Sequence, residues 1–135
     1  MPIIDWNEKL SVNIKDIDTQ HQKLISMINQ LHDAMKGGKG KEILNQIITQ
    51  MADYTQQHFL AEEQLFIKHE YPETSRHTRE HNAFIEKVAT FQRDLNSGHI
   101  TLSLDVMTFL KDWLVKHIEG TDKKYSPFLN AKGVV

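Results

Sequence analysis

Hydrophobic residues recur every three or four positions in four separate stretches of the chain, and polar residues occupy the positions between them. This spacing is the period of an α-helix with one apolar face, so each stretch predicts one helix. The predicted helices run from about Asp18 to Met35, about Lys41 to Glu70, about Glu73 to Leu95, and the region Leu102–Asp105 to about Asp122. No stretch alternates as a strand would, so an all-helical protein is expected.

Turn signals separate the predicted helices by short connections: Gly37-Gly38, Tyr71-Pro72 and Asn96-Ser97-Gly98. Glycine commonly ends a helix, and the residue before a proline disfavours the α conformation. Short connections favour antiparallel neighbours, so the predicted fold class is an all-α, antiparallel up-down-up-down four-helix bundle. The carboxylate of Asp16 or Asp18 is expected to cap the first helix.

The two ends of the chain lack the helical period. Residues 1–17 predict an extended N-terminal arm that lies on the bundle, and residues 123–135, which contain Pro127, predict a short C-terminal extension. The bundle would occupy about 18–122. A chain of 135 residues is expected to form one domain, 1–135.

Composition and charge exclude several classes of protein. Hydrophobic residues make up 39% and charged residues 25% of the chain, as in ordinary soluble domains. The net charge is -2 and no basic stripe is present, which argues against nucleic-acid binding. No stretch approaches the roughly 20 apolar residues of a membrane span, and the N-terminus lacks the features of a signal peptide. A cytoplasmic, monomeric protein without membrane insertion is therefore expected.

Histidines and carboxylates are the candidate chemistry of this chain. It has no cysteine, so a metal site could use only nitrogen and oxygen ligands. Seven such residues stand on the inner sides of the four predicted helices: His21, His58, Glu62, His77, His81, His117 and Asp122. Two pairs among them, His58/Glu62 and His77/His81, are four residues apart and so share one helix face.

These residues also lie at matching distances from the turns. His21 is about 17 residues before the first glycine turn and His58 about 19 after it, roughly 25–28 Å along either helix. His81 is about 17 residues before Gly98, and His117 is about 19 after it. Antiparallel helices would therefore bring all four groups of residues into one layer.

Two details of spacing need a choice. Glu63 would point about 100° away from Glu62 on a regular helix, so Glu62 is the predicted ligand of the two. His117 and Asp122 are five residues apart, which a regular helix would separate by about 140°. Gly120 could correct this either by ending the helix or by allowing a local widening.

The predicted ligand set indicates a two-metal site. Five imidazoles, two bridging carboxylates and an assumed bridging oxide or hydroxide fill all but about one of the positions on two octahedral ions. A single open position suits a small diatomic ligand. Zinc seldom needs so many protein ligands, and magnesium and calcium prefer more oxygen. Iron is the metal that this set favours, ahead of manganese, copper or zinc.

Nearly the whole chain resembles a bacterial hemerythrin. The segments that carry the resemblance are Trp6 near the N-terminus, Asp18-Thr19-Gln20-His21, His58-Phe59-x-x-Glu62-Glu63, Tyr71-Pro72 followed by His77-x-x-x-His81, and Trp113-Leu114-x-x-His117-x-x-x-x-Asp122. The resemblance implies a non-haem di-iron centre with a bridging oxo or hydroxo group, Fe2+ and Fe3+ as its oxidation states, and reversible O2 binding for oxygen storage or transport.

The resemblance also implies a role for each site residue. His77, His81 and His117 would hold one iron, His21 and His58 would hold the other, and Glu62 and Asp122 would bridge them. It further implies an apolar O2 pocket that is lined by five residues: Leu24, Phe59, Trp113, Leu114 and Ile118. Phe59, Trp113 and Leu114 are also expected core residues in a plain bundle. For Tyr125, a place near the site and ordinary packing fit equally well.

Other functions compete with O2 storage or transport. The same site could sense O2, NO or redox state, although a sensor usually carries a fused output domain. A peroxidase-like or NO-reducing enzyme would need a substrate or redox-partner site, and no motif indicates one. O2-activating di-iron bundles use four carboxylates and Glu-x-x-His motifs, which this chain lacks. Metal storage fits poorly, because seven ligands hold only two ions. The O2-consuming acceptor is unknown. His32 is expected to be a solvated or capping residue, His69 is expected to be exposed near the end of its helix, and His99 is expected in a turn.

Overall fold

The helices begin and end close to the predicted positions. A computed structural model describes residues 3–38, 41–97 and 104–135, so the predicted placements of Gly98, His99 and Leu102 lie outside the described residues. The elements are a short 3-10 helix Glu8–Leu10, α1 (Lys15–Lys36), α2 (Lys41–Lys68), α3 (Thr74–Ser97), α4 (Leu104–Lys116), a π-helix His117–Asp122 and α5 (Lys123–Ala131).

The helices form the predicted all-α four-helix bundle. α2 packs against α1 and α3, and α1 also packs against α4. Rings on α3 and α4 join the remaining pair, with Phe84 stacked on Trp113 at 4.1 Å between ring centres. In the described ranges there is no strand, and no helix there is long and apolar enough to cross a membrane.

The apolar face of each helix supplies the core, as the periodicity predicts. Ile28 and Leu31 of α1, Ile48 of α2 and Leu110 of α4 are almost completely buried. Burying each of these side chains contributes about 1.5–3 kcal/mol to folding. The core fixes the rotation of each helix about its axis, and that rotation points the histidines inward.

The N-terminal arm is mostly extended, but it ends earlier than predicted. α1 begins at Lys15, and Ile14 at its N-cap makes no side-chain capping bond, so the predicted cap by Asp16 or Asp18 is wrong. Asp18 lies inside the first turn, where a carboxylate favours the positive helix end. It reaches back to accept hydrogen bonds from Ser11 Oγ at 2.6 Å and the Val12 amide at 2.8 Å.

The C-terminal segment is helical instead of a simple extension. α5 continues the column of α4 and contains Pro127. Ser126 Oγ donates to the Val12 carbonyl at 2.6 Å, and Asn130 donates to the Asn13 carbonyl at 3.1 Å. These bonds tie the arm to α5, next to the ligand layer. The limits of a single domain, 1–135, stay a prediction.

Candidate metal centre

All seven predicted ligand residues meet in one buried layer of the bundle. Their exposed fractions are 4% or less: His21 0%, His58 2%, Glu62 0%, His77 1%, His81 0%, His117 4% and Asp122 0%. Burying this many ionisable groups without compensation would cost several kcal/mol for each charge. The layer is therefore expected to serve a purpose other than stability.

Two overlapping sets of residues in this layer could each hold a metal ion. One set consists of Glu62, His77, His81, His117 and Asp122, and the other of His21, His58, Glu62 and Asp122. Within each set the ligand atoms all lie within 4.8 Å of one another. We call these sets the three-histidine position and the two-histidine position. Glu62 and Asp122 belong to both, as bridging ligands would.

Asp122 lies at the centre of this arrangement. Its Oδ1 is 2.9 Å from His77 Nε2 and 3.0 Å from His117 Nε2, and its Oδ2 is 3.1 Å from His21 Nε2. The π-helix makes this possible, because the Lys123 amide bonds the Ile118 carbonyl five residues earlier. Of the two corrections considered for Gly120, a local widening is the one found. A Cβ at Gly120 would meet nothing within 4 Å, so the widening does not require glycine.

Glu62 is held from three sides. Its Oε1 is 3.3 Å from the Nε2 atoms of both His58 and His81, and its Oε2 accepts a hydrogen bond from the Tyr125 hydroxyl at 2.5 Å. Tyr125 is completely buried. It therefore lies at the site, and its packing role in the core comes in addition.

Polar side chains outside the layer hold three of the imidazole rings by Nδ1. The acceptors are Gln20 Oε1 for His58 at 2.6 Å, Glu63 Oε2 for His81 at 2.8 Å and Glu80 Oε1 for His117 at 3.2 Å. We call Gln20, Glu63 and Glu80 the outer acceptors. Sequence reasoning did not assign them this role, although each directly precedes or follows a predicted ligand.

Aromatic rings cover the three-histidine position. Phe59 stacks on His81 with 3.7 Å between ring centres and 1° between planes, and Trp113 stacks on His117 at 4.4 Å and 13°. Leu24, Leu114 and Ile118 are buried in the same core, whereas Trp113 is only partly buried. That these five residues wall an O2 pocket stays a prediction.

Burial and mutual charge shift the pKa values of the layer in opposite directions. Burial alone would raise the pKa of Asp122, but the neighbouring histidines hold it well below its usual range. Burial would lower the pKa of His117, and the charge of Asp122 outweighs this and raises it to about 9. The pKa of Tyr125 is raised by burial and by the charge of Glu62. Without metal, then, Asp122 and His117 favour an ionised carboxylate next to a protonated imidazole.

The arrangement of these atoms suits metal coordination better than it suits hydrogen bonding within the layer. Among the histidine Nε2 atoms and carboxylate oxygens of the seven residues, five buried atoms have no partner of hydrogen-bonding geometry within the described residues: His21 Nε2, His77 Nε2, Glu62 Oε1 and both carboxylate oxygens of Asp122. They nevertheless lie 2.9–3.3 Å from a neighbouring ligand atom. Ring nitrogens and carboxylate oxygens that converge without hydrogen bonds are what a cluster of imidazole and carboxylate metal ligands would show.

Comparison with known proteins places the chain in a family. The model of the hemerythrin HHE cation binding domain matches residues 12–129. The chain belongs to the hemerythrin family. It is 34% identical to a bacteriohemerythrin of Stenotrophomonas maltophilia (strain R551-3) over 97% of this chain and 84% of that protein. It is 33% identical to the bacteriohemerythrin of Methylococcus capsulatus (strain ATCC 33009 / NCIMB 11132 / Bath) over 97% of this chain and 100% of that one.

A solved structure of a wild-type hemerythrin has the same fold. The TM-score is 0.88 at 29% identity, over 93% of this chain and 96% of the other. Membership in the hemerythrin family supports the assignment of this chain as a non-haem di-iron protein that binds O2. Proteins of this family are in general O2 binders and not enzymes. The buried cluster of His, Glu and Asp in this chain is able to hold the metal.

Without metal, the stability of this hemerythrin should depend on pH through His117. A base with a raised folded pKa contributes stability that is complete below its unfolded value of 6.5 and is lost as the pH rises through about 9. We expect the free energy of unfolding of the metal-free protein to fall by on the order of 3 kcal/mol over this range. Urea denaturation at several pH values measures it.

Two variants test the assignment of this pH dependence. His117→Gln should make the fall smaller without removing it, because Asp122 outweighs burial and also raises the pKa of His21. His69→Gln, at a partly exposed residue just after α2, should keep the full fall. A metal-free protein that becomes more stable between pH 6.5 and 9 would contradict the prediction.

Proposed function

We propose that this hemerythrin binds O2 reversibly at a di-iron centre and serves in oxygen storage or transport. In the proposal His77, His81 and His117 hold one iron, His21 and His58 hold the other, and Glu62 and Asp122 bridge the two. A bridging oxo or hydroxo group would complete the centre.

The main support for the proposal is that two sets of ligands share both carboxylates but contain different numbers of histidines. The two-histidine position offers one imidazole fewer than the three-histidine position. A six-coordinate ion there would keep one open coordination position for an external ligand. Because the surroundings are buried, only a small ligand could occupy it. Family membership supports O2 as that ligand.

Two ferrous ions bound in these positions would supply the two electrons that O2 takes up on binding. The chain itself orients the ligands and excludes water. Phe59 and Trp113 cover two of the imidazole rings with their faces. Leu24, Leu114 and Ile118 would complete an apolar wall, which limits the access of water and anions to the centre. Tyr125 keeps one Glu62 oxygen occupied by its hydroxyl, so the other oxygen faces His58 and His81.

The composition of the site favours a carrier over an enzyme. Five neutral imidazoles and two carboxylates stabilise high-valent iron less well than the four carboxylates of O2-activating bundles. We therefore expect bound O2 to be released unchanged. Steady oxidation of an organic substrate by the purified protein would count against this part of the proposal.

Optical spectroscopy on the iron-loaded protein tests reversible O2 binding. The protein is reduced without air, exposed to O2 and then degassed through several cycles. We expect absorption bands of the ferric centre that appear with O2 and disappear on degassing, and a His58→Ala variant should lose them. Bands that appear once and never reverse would overturn reversible binding and favour a redox sensor.

A further inference from the structure

The outer acceptors differ in charge between the two metal positions. Glu63 and Glu80 bond His81 and His117, which both belong to the three-histidine position. Gln20, a neutral carboxamide, bonds His58 of the two-histidine position. The Nδ1 of His21, the second imidazole of that position, is buried and has no hydrogen-bonding partner in the described part of the chain.

An acceptor on Nδ1 changes the ligand strength of the opposite ring nitrogen. A histidine that donates Nδ1–H to a carboxylate becomes a more basic ligand through Nε2 and keeps one ring orientation. Charged acceptors have a larger effect than neutral ones, since hydrogen bonds to ionised groups are about twice as strong. The Gln20 contact is the shortest of the three at 2.6 Å, but its oxygen carries no net charge.

We propose that the outer acceptors are positioning residues that increase the difference in metal affinity between the two positions, which already differ by one imidazole. The three-histidine position, with two carboxylates behind its rings, binds its metal more tightly and stabilises Fe3+ better. The two-histidine position binds its metal second and loses it first. The inference rests on the proposed two-metal function of the site.

Glu63 and Glu80 should contribute unequally to this difference. The Glu63 side chain is 21% exposed and its contact with His81 is 2.8 Å long. The Glu80 side chain is 38% exposed, its contact with His117 is 3.2 Å, and its oxygens also accept from Thr121 Oγ1 at 2.9 and 3.3 Å. Solvent screens the more exposed charge, so Glu63 should have the larger effect on metal affinity. Glu80 in addition joins α3 to the π-helix that carries Asp122.

Stepwise binding of Co2+ to the metal-free protein tests the proposal. Visible absorption in competition with a chelator, at constant pH, gives the two dissociation constants. Glu63→Gln should weaken the tighter step by about tenfold to a hundredfold, Glu80→Gln should weaken it less, and neither should change the weaker step by more than about threefold. Gln20→Glu should tighten the weaker step, and His58→Ala should remove that step and so identify it.

Matched variants separate this effect from a general change in charge or folding. Glu86→Gln removes the same charge from an exposed residue of α3 and should change neither constant. Helix content by circular dichroism checks that each variant folds, and Glu80→Gln, at a partly exposed residue, serves if Glu63→Gln does not fold. In the iron-loaded protein, the ion in the three-histidine position should be reduced second. Glu63→Gln should raise its reduction potential more than that of the ion reduced first. A purely structural role of Glu63 would not produce this difference.

The outcomes distinguish a failure of the proposed function from a failure of the role proposed for the outer acceptors. If the unmodified chain does not bind two ions, the proposed function fails. If it binds two, but the Glu63 and Glu80 variants leave both constants unchanged, or weaken both steps equally, or act no differently from Glu86→Gln, only the present inference is overturned.

Discussion

Replacement of Asp122 by asparagine should remove metal from both positions at once. Asp122 places its oxygens 2.9–3.1 Å from three histidines that belong to two different ligand sets. Asparagine keeps the shape of this side chain but loses the charge and one of the two carboxylate oxygens. We expect each dissociation constant to rise at least about a hundredfold, since loss even of an outer partner costs 10–100-fold. The iron content should fall from two ions per chain to below one.

Asp112→Asn is the matched control for this experiment. Asp112 lies in α4 and is exposed, so the variant has the same change in charge in the same column of helix. It should bind two irons per chain, and metal analysis after dialysis against a weak chelator measures both variants. An Asp122→Asn protein that keeps two irons would contradict a bridging role for Asp122.

Metal binding should stabilise the fold strongly, because all four columns of the bundle contribute ligands. A ligand that binds only the folded state stabilises it by about 2.7 kcal/mol at 100 times its Kd, so two ions contribute about 5 kcal/mol. For a chain of 135 residues this corresponds to a rise in Tm of about 15–20 °C. Thermal unfolding followed by circular dichroism, with and without Fe2+ under anaerobic conditions, measures the difference.

Magnesium provides the control for specificity. Mg2+ prefers oxygen ligands and keeps its water, so at the same concentration it should shift the Tm by no more than a few degrees. A Tm that is the same after removal of iron by a chelator would contradict the coupling of metal binding to folding.

The bundle and the ligand layer could be predicted because both depend on local periodicity. His58/Glu62 and His77/His81 are adjacent on any regular helix, whatever the rest of the molecule does. The distances of His21, His81 and His117 from the turns then place them at one depth, since helical rise is constant. The predicted layer and the observed one therefore contain the same seven residues.

Other features depend on contacts between distant parts of the chain and could not be predicted. The five-residue spacing from His117 to Asp122 allowed either a helix end or a widening. The structure contains the widening, with Asp122 beside His21 and His77 of other helices. The start of α1 likewise depends on Asp18, whose carboxylate bonds the arm instead of its own helix end.

The outer acceptors show the same limit most clearly. Glu63 points away from the face of Glu62 as helical geometry requires, and only the crossing of α2 and α3 brings it behind His81. The sequence by itself determined which residues face the interior, because hydrophobic and ligand positions repeat with the period of the helix. The tertiary structure alone decided which oxygen lies behind each imidazole, because side chains far apart in sequence meet there through the rotation and crossing of packed helices.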